Sequence, residues 1–514
     1  IRWRKDFKER TMTKKQSSQN LILIITTTVY SFSSMISAFF MLGSQSLIWF
    51  FISALFYFIP YALIVAQYTK KYAHRSGAIY DWLKESLSPK AAFTTVFLWY
   101  SSYFIWMISL FMKILIPISI LFFGQDITTS MNWFGVSSQI WLALFSILAV
   151  IGITWMNKRG FQVIFRFLHI SGYAMVGLLI LSLSGNLILI FKNPELVSIN
   201  IHHSLTVPSF FQESSSRLLS QLPFFIFSIT AFGGLDTIAS LADKTKKSRS
   251  RFPRAVIISS FVVLFLYVSG IIIWSCANNI DGLREATSLH LGNLMYGVME
   301  QLAKTLAGSF NLSVSHTHLL TQIFIRYTAL TMGLAYLSLL SSISYGPLKS
   351  LIKSTPKVFW PKFSALNRNQ MPENALWIQA LLISLFIGLL SFSNTFLSDL
   401  FNQLTYMTNV SRAIPYFIVA ASFPFFLKKK IIQKQSLIIK NNYLNYFLSI
   451  SVCVCIFVAI AFQIYEPLKL GNYLNFSTLL LGPVFFGVLS HFIYFRFEQK
   501  KALVNLSKQN SENP

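Results

Sequence analysis

Twelve long apolar segments alternate with short polar loops along the chain, and this pattern restricts the fold more than any other feature. A segment of about 20 apolar residues can cross the hydrocarbon core of a membrane as a helix. Because no water reaches that core, backbone N–H and C=O groups must be satisfied within the segment. We therefore predict an all-α integral membrane protein with about twelve transmembrane helices. The predicted spans are 21–42, 47–68, 93–122, 139–155, 162–191, 219–241, 255–276, 319–348, 376–392, 396–427, 443–464 and 478–497.

Positive charge lies almost entirely on one side of these segments. Thirty-five of the 43 Lys and Arg residues fall in loops on that side, five fall on the other, and three lie inside spans. Cytoplasmic loops of membrane proteins carry an excess of Lys and Arg, which predicts that both termini are cytoplasmic in an inner or plasma membrane. Residues 1–20 are then a basic cytoplasmic segment, and residues 498–514 are a polar cytoplasmic tail that we expect to be disordered.

Composition excludes several classes of function. The net charge of +26 is spread over every loop of one side, so it does not indicate a nucleic-acid groove. The three cysteines and eight histidines show no spacing typical of a metal or haem site, so no cofactor is expected. No nucleophile with an accompanying base stands out, and we do not expect an enzyme. Twelve spans with few buried charges indicate a secondary transporter.

The sixth span contains the best candidate for a break in an apolar helix, with close helix packing through its glycine pair as the alternative. Gly233 and Gly234 are adjacent, and each costs a helix about 1 kcal/mol relative to Ala. Unwound backbone in mid-membrane binds the charged groups of small substrates in many transporters. Asp236 follows, where we expect it to cap the second half-helix, with direct substrate or proton contact as the alternative.

The first span carries the partner break if the chain is an inverted repeat. It has no glycine between Thr26 and Ser37, but it is dense in hydroxyl side chains. Serine and threonine can satisfy backbone groups that a break frees. We therefore predict a break at Ser33–Ser37, although such residues are also common in packed membrane helices.

Three cationic residues lie inside the predicted spans. Lys113 is close to the end of the third span, where snorkelling to the interface explains it. Arg326, two turns into the eighth span, has either a snorkelling or a pathway role. Arg412 lies near mid-depth in the tenth span, where a charge is costly without a partner or a water-filled cavity. We predict that Arg412 lines the aqueous route and favours a carboxylate-bearing solute.

Several stretches resemble the amino acid–polyamine–organocation superfamily of permeases, and most of all its glutamate:GABA antiporter branch. They agree in order and spacing over residues 21–499. The stretches are Tyr57-Phe58-Ile59-Pro60-Tyr61-Ala62-Leu63, Ser76-Gly77-Ala78-Ile79-Tyr80-Asp81-Trp82-Leu83, Phe232-Gly233-Gly234-Leu235-Asp236, Arg251-Phe252-Pro253-Arg254-Ala255, Tyr345-Gly346-Pro347-Leu348-Lys349 and the segment 367–374.

The resemblance implies two inverted five-helix repeats, at 21–191 and 219–427, followed by two further helices at 443–497. It also implies a central substrate site between the first and sixth spans. By position, the site residues would be Ser33, Ser34, Ser37, Phe232, Gly233, Gly234 and Asp236, with Phe232 contributing to an aromatic gate. Arg326 matches an arginine of the family's eighth span. Gln67, Asp236 and Lys244 depart from the acidic residues of the antiporter pattern, which weakens the case for acid-gated glutamate/GABA exchange.

These observations predict a secondary active amino-acid transporter that is either an antiporter or proton-coupled. Glutamate/GABA-type exchange is the more specific form of this prediction. The expected partners are a small amino-acid substrate and the lipid bilayer. A polyamine or other organic-cation permease is the alternative within transporters, and the scarcity of acidic residues in the spans disfavours it. A sensor that binds on the same fold without transporting is the alternative outside them.

Overall fold

The structure is a computed structural model that describes residues 18–72, 79–128, 130, 133–207, 221–239, 248–284, 292–354, 362–369, 371–391, 397–429 and 437–512. Within these ranges the chain is helical, and its one strand-like pairing is an isolated bridge between Trp133 and Val136. Residues 1–17 of the predicted N-terminal segment 1–20, the motif residues 76–78 and Lys244 lie outside the described residues.

The described part of the chain contains twenty α-helices. The first ten are α1 (Ser18–Val29), α2 (Phe32–Leu42), α3 (Ser46–Ile52), α4 (Ile59–Lys71), α5 (Ile79–Ser86), α6 (Pro89–Lys113), α7 (Leu115–Phe123), α8 (Ser138–Asn157), α9 (Phe161–Lys192) and α10 (Pro194–Thr206). The others are α11 (Pro223–Ala231), α12 (Leu235–Ala239), α13 (Ser248–Ala277), α14 (Ile280–Arg284), α15 (Leu294–Ser309), α16 (Val314–Ser354), α17 (Glu373–Ser391), α18 (Leu397–Lys428), α19 (Asn442–Lys469) and α20 (Tyr473–Glu512).

The predicted number of spans agrees with the helices. Ten stretches of the described chain are long and apolar enough to cross a membrane. The first, Leu21–Lys71, has 51 residues and contains two of the predicted spans. The shorter apolar stretch Phe224–Thr237 corresponds to the sixth span, which α11 and α12 share. An all-helical, multi-pass architecture with about twelve spans is therefore confirmed, while the bounds of the two repeats stay a prediction.

A π-helical stretch interrupts the second span immediately before a proline. It runs over Ser53–Phe58, between α3 and α4. Pro60 has no backbone N–H and its ring displaces the carbonyl four residues earlier, which is that of Phe56. Ser451 of α19 donates its hydroxyl to this Phe56 carbonyl at 2.6 Å. The eleventh span thus satisfies a backbone group that the proline frees.

Helices outside the spans lie at both faces of the bundle. On the face opposite the termini, α14 and α15 occupy the loop after the seventh span. The tail prediction is wrong in one respect: α20 continues to Glu512, so residues 498–512 are helical. This stretch contains no Gly or Pro, and its Lys, Gln, Ala and Leu residues are good helix formers.

A deeply buried part of the bundle surrounds the breaks in the first and sixth spans. There α2, α11 and α12 pack against the second, seventh and tenth spans, and the third span reaches α12 through the hydrogen bonds of Trp99 and Tyr103 to Asp236. Large side chains such as Phe32, Trp99, Tyr103, Tyr267 and Tyr416 are almost completely buried in this region. The breaks are therefore enclosed by protein, which is the setting in which unwound backbone is tolerated at membrane depth.

Candidate substrate site

The first span breaks earlier than predicted. Helix α1 ends at Val29 and α2 begins at Phe32, so the break is at Tyr30 and Ser31, while Ser33, Ser34 and Ser37 lie within α2. Ser31 has extended backbone (φ −120°, ψ 115°), and its Oγ accepts a hydrogen bond from the Ser34 N–H at 3.2 Å. Ser31 is thus the N-cap of α2, a position that serine favours.

The sixth span breaks where the glycine pair predicts. Helix α11 ends at Ala231, and α12 begins at Leu235. Gly234 has a φ of 119°, a conformation that only glycine adopts readily. A Cβ atom there would also lie 3.3 Å from the Thr28 carbonyl oxygen of α1. The close approach of the two broken spans therefore requires a glycine at this position.

One hydroxyl from the seventh span joins the two breaks. Tyr267 Oη accepts a hydrogen bond from the Ser31 N–H at 3.1 Å and donates one to the Ala231 carbonyl at 2.9 Å. The tyrosine is completely buried. It satisfies one backbone group at each break and holds the breaks side by side.

Asp236 lies within α12 and does not occupy the cap position. Its carboxylate accepts hydrogen bonds from Trp99 Nε1, from the Tyr103 hydroxyl at 3.0 Å and from the Tyr416 hydroxyl at 3.3 Å. The side chain is completely buried. The predicted cap role is therefore wrong, because side chains of the third and tenth spans hold the carboxylate.

Arg412 is buried beside the sixth-span break. Its Nη2 is 3.4 Å from the Tyr416 hydroxyl, which in turn donates to Asp236, so a tyrosine links the guanidinium to the carboxylate. The guanidinium carbon lies 4.1 Å from the ring centroid of Trp106 and 5.6 Å from that of Tyr103. Nε of Arg412 has no hydrogen-bond partner among the described residues. Arg412 is thus a buried cation with an N–H donor that is available to a ligand.

Two adjoining cavities meet at this arginine. The distal cavity, of about 160 Å³, extends away from the termini and reaches Ser37, Ser109, Lys113 and Asn409. The proximal cavity, of about 130 Å³, extends towards the termini and reaches Thr27, Ser171 and Ser342. Both are lined by Ser31, Ser34, Trp106, Thr230, Ala231, Met332, Tyr336, Leu339 and Arg412. The described linings contain two cationic side chains, Arg412 and Lys113, and no Asp or Glu.

The structure brings part of the predicted site together. Ser33, Ser34, Ser37, Gly233 and Arg412 line one or both cavities, and these positions were identified from the sequence. Asp236 and Gly234 line neither cavity. Asp236 holds the Tyr103 and Tyr416 hydroxyls, and Gly234 allows the close approach of α1. The row of hydroxyls in α2 is therefore part of the wall, although the break precedes it.

Two predicted residues lie away from the cavities. The ring centroid of Phe232 lies 4.4 Å from that of Phe58, 5.6 Å from that of Phe50 and 5.3 Å from that of Tyr267. Phe232 lines neither cavity. Arg326 is exposed and donates from Nη1 to the Leu121 carbonyl of α7 at 2.8 Å. A gating role for Phe232 and a pathway role for Arg326 gain no support from these positions.

Several site residues escaped the sequence prediction. Lys113, expected to snorkel, lines the distal cavity instead. Trp99, Tyr103 and Trp106 lie on one face of α6, and Tyr416 follows Arg412 by one helical turn. The sequence does contain a pattern that indicates the three aromatic residues of α6, because they recur at i, i+4 and i+7 and therefore share one helix face.

Comparisons with known proteins agree with this geometry. A family model described as amino acid permease matches residues 17–486. The chain is 33% identical over 492 residues to the inner membrane transporter YjeM of Salmonella typhimurium, covering 95% of this chain and 97% of that protein. It is 23% identical to the aspartate/glutamate permease AcaP of Lactococcus lactis, with 73% and 72% covered.

A solved structure shares the fold. MhsT in complex with L-phenylalanine superimposes with a TM-score of 0.54 at 13% sequence identity, covering 87% of this chain and 99% of that chain. The helix breaks, the cavities between them, the family match and the relatives point to one assignment: the chain belongs to the amino acid permease family of the amino acid–polyamine–organocation superfamily.

Proposed function

We propose that the chain is a secondary active transporter that binds an amino acid between the two helix breaks and moves it by alternating access. The positive end of the α2 dipole, at Ser31 and Ser34, and the negative end of the α11 dipole, at Ala231, both face the cavities. A substrate α-carboxylate is favoured at the first end and an α-ammonium group at the second.

The charge of the cavity lining supports an acidic amino acid as the substrate. Arg412 is 6% exposed, lies at the junction of the two cavities and has an unpartnered Nε among its described contacts. A buried cation without a close anionic partner is costly, and a substrate carboxylate placed there would offset that cost. Arginine also binds carboxylates through two parallel hydrogen bonds, which adds selectivity. This position of Arg412 is the observation that carries the proposal.

The alternative substrate class fits the lining less well. A polyamine or another organic cation needs acidic groups along its route, and the described linings of both cavities contain none. Asp236, the nearest carboxylate, is held behind the lining by three aromatic side chains. A sensor that binds without transporting shares the geometry, and it differs from a transporter only in the movement of substrate.

Uptake into proteoliposomes tests the proposal. The external panel is radiolabelled glutamate, aspartate, leucine and putrescine, and the vesicles contain buffer, glutamate or γ-aminobutyrate. We expect saturable uptake of the acidic amino acids by the wild-type protein. Dependence on an internal amino acid would identify an antiporter, whereas uptake into empty vesicles driven by a pH gradient would identify proton coupling.

Arg412→Gln and Arg326→Gln form a matched pair for this experiment. We expect Arg412→Gln to abolish acidic amino-acid uptake while Arg326→Gln keeps it, since Arg326 is exposed and contacts the end of α7. Transport of putrescine but not of glutamate would support the organic-cation alternative. Saturable binding without counterflow, by folded protein, would support the sensor.

A further inference from the structure

A lateral cleft of about 410 Å³ lies apart from the two substrate cavities. It opens between the third, eighth, ninth and twelfth spans and shares no lining residue with either cavity. Its walls include Phe97 and Phe104 of α6, Leu348 of α16, Leu382 of α17 and Leu489 of α20. The nearest helices do not fill this space, although it is larger than either substrate cavity.

The few polar side chains in the walls of the cleft already have hydrogen-bond partners within the protein. Tyr100 donates its hydroxyl to Gln379 Oε1 at 3.0 Å, and Gln379 Nε2 donates to the Ser344 carbonyl at 3.3 Å. Water needs two to four polar partners to occupy a buried space, and these walls offer few. An unfilled space would forfeit the dispersion contacts of its walls. An apolar occupant is therefore favoured.

The length of the cleft matches one leaflet of a bilayer. Its lining along α17 runs from Ala375 to Phe386, which corresponds to a rise of about 16 Å at 1.5 Å per residue. Half of the hydrocarbon core of a bilayer is about 15 Å thick. Ala375 lies near the start of α17, so the cleft begins at the face that carries the termini and ends near mid-membrane.

Exposed cations surround the end of the cleft at that face. The ring pair Phe97–Phe486 lines the cleft, and the pair Phe93–Tyr494 lies further towards the termini. Lys90 is one turn beyond Phe93 on α6, and Arg496 is one turn beyond the lining residue Ile493 on α20. Lys362, also exposed, precedes the lining residue Phe363.

We propose that this cleft binds one acyl chain of an anionic phospholipid, whose headgroup lies between Lys90 and Arg496. Basic groups at the membrane surface attract anionic lipids, and basic pockets between helices bind their headgroups. The single acidic residue close to this mouth on α20, Glu498, lies on roughly the opposite side of the helix from Arg496. Apolar walls and a cationic mouth together distinguish the cleft from the general lipid-facing surface.

Native mass spectrometry of the purified protein tests the site, with phosphatidylglycerol and phosphatidylethanolamine added as separate probes. The first variant is Leu382→Trp, which fills the cleft, and its control is Leu381→Trp on the neighbouring, 69% exposed residue outside the lining. The second cleft-filling variant is Leu489→Trp on the opposite wall, and its control is Val488→Trp on the neighbouring, exposed residue outside the lining. Thermal unfolding of each variant shows that it is folded.

We expect the wild-type protein and both controls to retain phosphatidylglycerol, and both cleft-filling variants to lose it. The double variant Lys90→Gln/Arg496→Gln should bind phosphatidylglycerol about 25-fold more weakly, because each surface cation contributes about a factor of five. Lys84→Gln/Lys429→Gln, which removes two other exposed cations, should have no such effect.

Equal retention by Leu382→Trp and Leu381→Trp would overturn the site. Equal affinity for the two lipids, unaffected by Lys90→Gln/Arg496→Gln, would overturn the anionic headgroup. Neither result depends on whether the protein transports amino acids.

Discussion

Nη2 of Arg412 occupies the space that a Cβ atom on Gly233 would need. The same Cβ would lie 3.0 Å from the Thr230 carbonyl oxygen and 3.0 Å from the Tyr416 hydroxyl. Gly233 does not have a positive φ, so the reason for glycine is lack of space and not backbone conformation. At its neighbour Gly234, by contrast, the backbone conformation requires glycine, because φ is 119°.

Gly233→Ala should therefore displace the arginine from the junction of the cavities. We expect strongly reduced uptake and a loss of about 1–3 kcal/mol in the free energy of unfolding, as for other overpacked positions. Thermal unfolding in detergent and uptake in vesicles measure the two effects. Gly152→Ala is the control, since Gly152 is helical and a Cβ atom there would meet no other atom within 4 Å, so this position should tolerate alanine. Equal behaviour of the two variants would contradict the steric explanation.

Removal of the Tyr267 hydroxyl should loosen both helix breaks at once. Tyr267→Phe leaves the Ser31 N–H and the Ala231 carbonyl without this partner, at an expected cost of about 1–3 kcal/mol for buried polar groups. Tyr296→Phe is a matched control, because the buried Tyr296 hydroxyl has no hydrogen-bond partner among the described residues. Chemical unfolding should show a lower midpoint for Tyr267→Phe alone. A similar shift for both would mean that the bridge contributes little.

The sequence predicts the two breaks with different accuracy, and Tyr267 explains why. Two adjacent glycines in an apolar helix are a local signal, and the sixth span breaks at them. The first span has no such signal, and its break lies at Tyr30–Ser31, before the predicted Ser33–Ser37. The partner that fixes this position, Tyr267, is 236 residues away from Ser31. A tertiary contact of this kind cannot be inferred from the local pattern.

The positions of the cationic residues also depend on tertiary packing that the local sequence does not reveal. Arg412 could be assigned to a cavity because a charge at mid-depth has no other low-cost environment. Lys113 and Arg326 both lie near the ends of spans, where depth alone does not distinguish a lipid interface from a cavity. The packing of α6 places Lys113 at the distal cavity, and that of α16 places Arg326 against α7. The wrong cap prediction for Asp236 arose similarly, since its partners come from distant helices.

Asp236→Asn should weaken the contact between the sixth span and its neighbours. The buried carboxylate accepts from Trp99, Tyr103 and Tyr416, whereas an amide replaces one acceptor by a donor. Hydrogen bonds to charged groups contribute about 1.5–3 kcal/mol, and we expect a loss of that size in unfolding. A double-mutant cycle with Tyr416→Phe should give a coupling of about 0.5–3 kcal/mol. Asp281→Asn, whose carboxylate is half-exposed beside His203, should cost less than about 1 kcal/mol.

Lys113→Gln should weaken the capture of acidic substrates while sparing the later steps of transport. Lys113 lines the distal cavity, on the route to Arg412, so it is placed to attract an anion before the anion reaches the arginine. We expect KM for glutamate to rise by up to about tenfold, or about 1.4 kcal/mol, with a smaller change in the maximal rate. The effect should shrink at high ionic strength, because salt screens charges in a water-filled cavity. Lys192→Gln, at the end of α9 and outside the cavities, controls for the loss of a surface charge. If KM for glutamate and its salt dependence match in the two variants, Lys113 has no part in substrate capture, and Arg412 is the cation that selects the anion.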